Sequence, residues 1–288
     1  MNASVDEFAA LQFAGEQSGR RVIVVDECAS TQDIAKEHAT KSDASSGVVI
    51  IARRQTAGRG RLGRAWADTA ESGLAMSLTL NARAVADPGV LSISVGLAAC
   101  HACEFVPKNS PTPDSRAATA AASAIAAASR ASIPSLGLRW PNDVVERSRG
   151  RKLAGVLIER SADLFIIGVG INCLQRETDW PEALRARAVS LLELQPDLDR
   201  TSLRAFVALE LLRSIDRVLA LPPEQIARDW SARDTLVGTR RTFEHAGARI
   251  AGIVQAIDPL SHLIVRDNAG TLHRLPALTT SMVHDATA

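Results

Sequence analysis

The sequence predicts an α+β fold, in which a mixed β-sheet backed by helices is followed by a small C-terminal β-barrel module. Two observations carry this. Short β-branched runs alternate with segments of helical periodicity over the first 220 residues or so. Near the C-terminus, three short strand patterns follow one another with only turns between them. The 288 residues suit one large or two modest domains, and the expected division is 1–235 and 236–288.

The elements follow in order. Arg21–Asp26 (R-V-I-V-V-D) reads as a strand, and Gln32–Thr40 as a helix entered through Ser30 and Thr31. Gly47–Ala52 (G-V-V-I-I-A) is a second, buried strand, Gln55–Trp66 a Gly/Arg loop, and Leu74–Leu80 a third strand. Leu91–Val106 is helical. Residues 107–134 are rich in Ala, Ser and Pro and lack a large apolar face, so they read as a surface insertion without function. Leu136–Val145 is strand-like around R-W-P-N-D-V-V. Lys152–Glu159 and Leu164–Asn172 read as paired strands, Pro181–Leu194 is ambiguous, and Ser202–Leu219 is an amphipathic helix. Trp230–Gly238 looks like a boundary. Beyond it, Arg249–Ile257, His262–Arg266 and Thr271–Leu275 are strands punctuated by Asp258-Pro259 and by Asp267-Asn268-Ala269-Gly270.

A net charge of +1 excludes a surface that coats nucleic acid or anionic membrane as a whole. Only four of the 33 basic residues are lysine (Lys36, Lys41, Lys108, Lys152), and tyrosine is absent, which reads as a composition bias. No apolar run reaches the roughly 20 residues of a membrane span. The first nineteen residues carry Asp6, Glu7 and Glu16 and no basic residue, unlike a secretory signal. A cytoplasmic location is expected. Cys100 and Cys103 form a C-x-x-C pair without a second pair of ligands, so they read as small buried side chains and no metal-binding cluster is expected.

Four segments carry chemistry. In Q-T-A-G-R-G-R-L-G-R-A-W (55–66), Gly58, Gly60 and Gly63 permit close backbone approach, and Arg59, Arg61 and Arg64, with Arg53 and Arg54 just before, make five arginines in twelve residues. Arginine forks and free backbone N–H groups suit a dense anion such as a nucleotide phosphate. Taken alone, the loop is also readable as a flexible basic surface segment. In R-W-P-N-D (139–143), Asn142 and Asp143 stand at a strand end, where Asp can meet magnesium or a ribose or simply form an Asx turn. In R-K-L-A-G (151–155), Lys152 can point into a cleft and neutralise developing charge, or lie at an edge in water. In G-V-G-I-N (168–172), the glycines allow close packing and Asn172 offers a donor and an acceptor, or the segment is a plain strand end.

In order, S-T-Q, Q-T-A-G-R-G-R-x-G-R-x-W, R-W-P-N-D, R-K-L-A-G and G-x-G-x-N resemble the biotin protein ligases over about Arg21–Asn172. The resemblance implies the synthetase-like catalytic fold of that family over 1–235, with an SH3-like barrel over 236–288. It implies ATP-dependent activation of biotin, with magnesium, to biotinyl-5′-adenylate and pyrophosphate, then transfer to a lysine of a biotin carboxyl carrier protein. It assigns Ser30, Thr31, Gln32, Gln55, Arg59, Gly60, Arg61, Lys152 and Gly155 to biotin. It assigns Arg59, Arg61, Arg64, Trp66, Asn142, Asp143 and Asn172 to ATP or the adenylate, and Lys152, Asp143 and Arg61 to catalysis. Gln32 stands where the family usually has Asn, and Arg139 where it has Lys. The C-terminal L-P-A-L-T-T-S lacks the usual Gly-Glu before Ser. About twenty residues precede the first strand, too few for the DNA-binding domain of some members, so a stand-alone enzyme, monomer or homodimer, is expected. Two rivals remain: a lipoate or octanoate ligase or transferase of the same fold, and a non-catalytic protein binding RNA or another anion through the Gly/Arg loop.

Overall fold

The computed structural model describes residues 8, 12, 19–41, 47–67, 72–85, 88–107, 130–132 and 135–283. Its centre is a seven-stranded sheet of order β1-β2-β3-β9-β8-β7-β6. The strands are β1 (Arg21–Cys28), β2 (Val48–Gln55), β3 (Gly73–Asn81), β6 (Leu136–Arg139), β7 (Asp143–Glu146), β8 (Lys152–Ser161) and β9 (Leu164–Asn172). β1 and β2 run parallel, and every later neighbour pair is antiparallel, so the sheet is mixed as expected.

β2 shows why the sheet needs cover on both faces. Val48 and Ile50 pack with Ala35 and Ala39 of α1 (Thr31–Ala39), while Val49 and Ile51 join the main core on the other face. A strand buried on both sides reads as an unbroken apolar run, and V-V-I-I-A is one. The main core is filled by α2 (Leu91–Glu104) and by α5 (Leu203–Leu219), whose Phe206, Leu211 and Ile215 are buried. Cys100 and Cys103 of α2 lie in this core, and burial pushes the Cys100 thiol up to about 12 and Cys103 upward as well. They are packing side chains. No helix among the described residues is long and apolar enough to cross a membrane.

The structure corrects several expectations. Residues 136–146 form a hairpin of β6 and β7 instead of one extended strand. The chain turns at Trp140-Pro141-Asn142, with a cis Trp140–Pro141 bond, and Asp143 pairs with Arg139 across the hairpin. The ambiguous 181–194 stretch holds two single-turn helices, α3 (Glu182–Arg185) and α4 (Leu191–Leu194). The expected helix 91–106 stops at Glu104, and β4 (Phe105–Pro107) pairs with β5 (Arg130–Ser132). The rest of the 107–134 insertion lies outside the described residues. A helix, α6 (Pro223–Ser231), precedes the boundary; only Ile226 and Trp230 of it are buried.

The C-terminal part holds five strands where three were expected: β10 (Arg240–His245), β11 (Ala248–Asp258), β12 (His262–Asp267), β13 (Leu272–Pro276) and β14 (Thr280–Val283). Their order, β13-β12-β11-β10-β14, describes a second antiparallel sheet, and among the described residues it does not close into a barrel. Its buried side chains Phe243, Val254, Leu263, Val265 and Leu275 belong to the main core cluster.

Candidate functional site

Two clefts meet at one wall. The first is an open space of about 460 Å³ over β3, β8 and β9, lined among others by Ser30, Thr31, Gln32, Gln55, Arg59 and Gly60. The second, of about 860 Å³, is lined by Arg64, Trp66, Arg139, Asn172, Trp180 and Arg187. Lys152 and Trp66 line both.

This junction follows from local structure. Lys152 opens β8, and its Nζ lies 2.7 Å from Asp143 Oδ1 on β7. Asp143 Oδ2 accepts from the Arg139 guanidinium at 2.9 Å, and the other arm of that guanidinium donates to the Gly150 carbonyl at 2.9 Å. Burial raises the Asp143 carboxyl, but Lys152 and Arg139 outweigh it and hold the group down at about 2. The carboxylate is therefore ionised at neutral pH, with each oxygen tied to one cation. Lys152 Nζ also lies 5.3 Å from the centre of the Trp66 ring. Two glycines make room. A Cβ at Gly155 would sit 2.7 Å from Lys152 Nζ, and one at Gly170 would sit 2.5 Å from Trp66 Cε2. Asn142 is fixed by β8: its Nδ2 donates to the Val156 carbonyl at 2.7 Å.

The floor of the first cleft is a polar chain. The Thr31 N–H and hydroxyl lie 2.9 and 3.2 Å from Gln55 Oε1, and the Thr31 and Ser77 hydroxyls are 2.8 Å apart. Ser77 reaches Gln32 Oε1 at 3.3 Å, and Gln32 Nε2 donates to the Leu157 carbonyl at 3.3 Å. Ser30 is buried and precedes α1 as its N-cap without a side-chain capping bond. Ser77 escaped the sequence reading, because nothing but strand register brings it beneath Thr31.

The Gly/Arg loop folds back on itself. Gly60 N–H donates to the Arg64 carbonyl and Trp66 N–H to the Gly58 carbonyl. Leu62 at its tip is 58% exposed with φ 55°, and Gly63 follows at φ 73°. Arg59 makes a two-pronged ion pair with Asp33 of α1 at 2.6 and 2.8 Å, which lowers the Asp33 carboxyl and raises Arg59. Arg61 donates to the Ala277 carbonyl, and burial pushes its guanidinium down; Arg64 reaches the Met282 carbonyl at 3.4 Å. The loop thus leans on the C-terminal sheet. Arg53 and Arg54 take no part in it. They lie on β2 and pair with Asp26 and Glu27 of β1, so of these five arginines only Arg59, Arg61 and Arg64 line the clefts. Asn172 is buried at the second cleft, and its Nδ2 donates to the Lys152 and Val189 carbonyls at 3.1 Å each, which ties β9 to the start of β8. Among the described residues no three His, Cys, Asp or Glu side chains converge as a metal site.

Residues 24–172 match the model of the biotin/lipoate A/B protein ligase family. The chain is 36% identical to the biotin–[acetyl-CoA-carboxylase] ligase of Mycobacterium tuberculosis over 88% of its own length and 86% of that protein's. It is 26% identical to the bifunctional ligase/repressor BirA of Bacillus subtilis, over 88% of this chain and 72% of the relative. Among solved structures, it is similar to a biotin protein ligase from Aquifex aeolicus in complex with biotin and ATP, with a TM-score of 0.69 and 27% identity over 92% of this chain and 99% of the other.

Proposed function

The chain belongs to the biotin/lipoate A/B protein ligase family, and on that premise we propose how its two clefts divide the work of an ATP-dependent biotin ligase. Biotin lies in the first cleft and ATP in the second. The observation that carries this reading is that Lys152 and Trp66 line both, which supports a role for one cation between the two anionic substrates.

In the first step a biotin carboxylate oxygen attacks the α-phosphorus of ATP, and pyrophosphate leaves. Repulsion between the carboxylate and the triphosphate opposes this approach, and a fixed cation at the contact offsets it. Lys152 serves there, kept in place by Asp143, which Arg139 holds in turn. Arg64, Arg139 and Arg187 around the second cleft suit the phosphates, and Trp66 gives the adenine or the acyl-phosphate a flat wall. Magnesium comes with the nucleotide as part of the substrate; both Asp143 oxygens are held by Lys152 and Arg139 and Asn142 lines the first cleft, so Asp143 acts by positioning Lys152 and not as an oxygen donor to the metal. In the second step a lysine amine of a biotin carboxyl carrier protein attacks the acyl carbon of biotinyl-5′-adenylate, and AMP leaves. Arg59, Gly60 and Arg61 cover the mixed anhydride against water until the carrier arrives. Asn172 acts through the backbone at Lys152 instead of through a direct bond to the nucleotide. We read residues 1–235 as the catalytic unit and 236–288 as an SH3-like module that supports the loop, in a cytoplasmic enzyme.

Incubation with ATP, an apo carrier domain and either labelled biotin or labelled lipoate tests this. Label transfer from biotin alone is expected. Transfer from lipoate alone would move the chain to the other branch of its family, and binding of RNA without transfer of either label would return it to the non-catalytic reading.

A further inference from the structure

Ser77 on β3 is fully buried, and its hydroxyl touches two side chains assigned to biotin, Thr31 at 2.8 Å and Gln32 at 3.3 Å. Each hydroxyl has one proton to give, so the contacts fix where the protons go. Gln32 Nε2 is committed to the Leu157 carbonyl, which turns Gln32 Oε1 toward Ser77 as an acceptor. The amide is also wedged: a Cβ at Gly168 would come within 3.1 Å of Gln32 Cδ. If Ser77 gave its proton to Thr31, the buried Gln32 oxygen would lose the hydroxyl donor that the described residues supply to it, and leaving a buried acceptor unpaired is unfavourable. The arrangement that keeps the Gln32 oxygen paired runs from the Thr31 hydroxyl to Ser77, from Ser77 to Gln32, and from Gln32 to the Leu157 carbonyl; it gives up the longer contact of the Thr31 hydroxyl with Gln55 Oε1 at 3.2 Å in favour of the 2.8 Å one to Ser77. Gln55 Oε1 meanwhile takes the Thr31 backbone N–H at 2.9 Å.

We propose that Ser77 is a positioning and specificity-determining residue for biotin, which draws the Thr31 proton away from the cleft so that Thr31 meets the ligand as a hydrogen-bond acceptor. The ligand group suited to it is a ring N–H, as in the ureido ring of biotin. This rests on the ligase reading above. It assigns to Gln32 a role in the relay beneath the ligand and sets Thr31 as the residue that faces it.

The test uses the full chain with Ser77→Ala and Ser77→Cys. The alanine removes the relay, and the cysteine nearly preserves the volume while weakening both hydrogen bonds. Both should raise the KM and the calorimetric Kd for biotin about tenfold while leaving the KM for ATP and kcat within twofold. Circular dichroism checks folding, and the cysteine variant carries the test if the alanine variant unfolds. Unchanged biotin affinity in a folded Ser77→Cys protein, or a rise in KM for ATP as large as that for biotin, would overturn the proposal by reducing Ser77 to packing. If the wild type releases no pyrophosphate with biotin and ATP, it is the ligase reading that fails, and biotin calorimetry on the same proteins still reports on Ser77.

Discussion

Replacing Lys152 by alanine removes the cation at the junction of the two clefts, and the structure gives a size for each consequence. The lost contacts are the 2.7 Å ion pair with Asp143 and the ring contact with Trp66. Lys152 is 30% exposed, so the pair contributes about 1 kcal/mol to folding and the ring contact about 0.5–1 kcal/mol. Asp143 keeps Arg139 as a partner, so its charge is not stranded. Thermal unfolding should therefore shift down by only about 2–6 °C. The reaction should suffer far more, because a preorganised group that offsets charge at the reacting centre is typically worth 10²–10³ in rate. Rapid mixing of enzyme, biotin and ATP, quenched and assayed for biotinyl-5′-adenylate, measures that step apart from carrier binding. A loss of at least a hundredfold in a folded protein is expected. A rate within tenfold of wild type would refute the placement of Lys152 at the reacting atoms.

Three further outcomes follow from the same geometry. Gly170→Ala puts a Cβ 2.5 Å from the rigid Trp66 ring; displacing that ring should cost about 1–3 kcal/mol and raise the KM for ATP, and an unchanged KM would show that Trp66 does not wall the nucleotide. Arg61→Gly frees the loop from the Ala277 carbonyl and should increase labelling of bystander amines by leaked adenylate, read as biotin on an added inert protein; equal labelling would count against the covering role. The Asp143 carboxyl, depressed from 3.8 to about 2 in the fold, stabilises the protein fully above pH 3.8 and loses that contribution as the pH falls toward 2. The whole contribution is about 2 kcal/mol, with about 1 kcal/mol already gone at pH 3, so urea midpoints taken from pH 5 to pH 3 should fall less in Asp143→Asn than in wild type; parallel curves would contradict the depressed carboxyl.

What the sequence discloses depends on how local the physics is. The Gly/Arg loop, Asn142-Asp143 and Lys152 were legible because each lies in a contiguous motif whose residue types already state a chemistry. Strands such as β2 and β9 were legible because burial on both faces writes an unbroken apolar run. The β6–β7 hairpin was not, because a proline after Trp140 reads as extended chain, whereas the cross-strand Arg139–Asp143 pair turns it. β10 and α6 bury only Phe243, and Ile226 with Trp230, which is too little to write a period. Counting arginines over 53–64 overstated how many of them line the clefts, since Arg53 and Arg54 lie on a strand whose neighbour carries Asp26 and Glu27. Ser77 and the contact of Arg61 with Ala277 depend on residues 45 or more positions apart, which no local pattern encodes.

The central claim is that biotin and ATP react across the wall made by Lys152 and Trp66. Pyrophosphate release by the purified protein, with ATP present and biotin added or withheld, tests it most directly. The account predicts release that depends on biotin and falls at least a hundredfold in Lys152→Ala. Folded wild-type protein that releases no pyrophosphate with both substrates, or releases it equally without biotin, would contradict it.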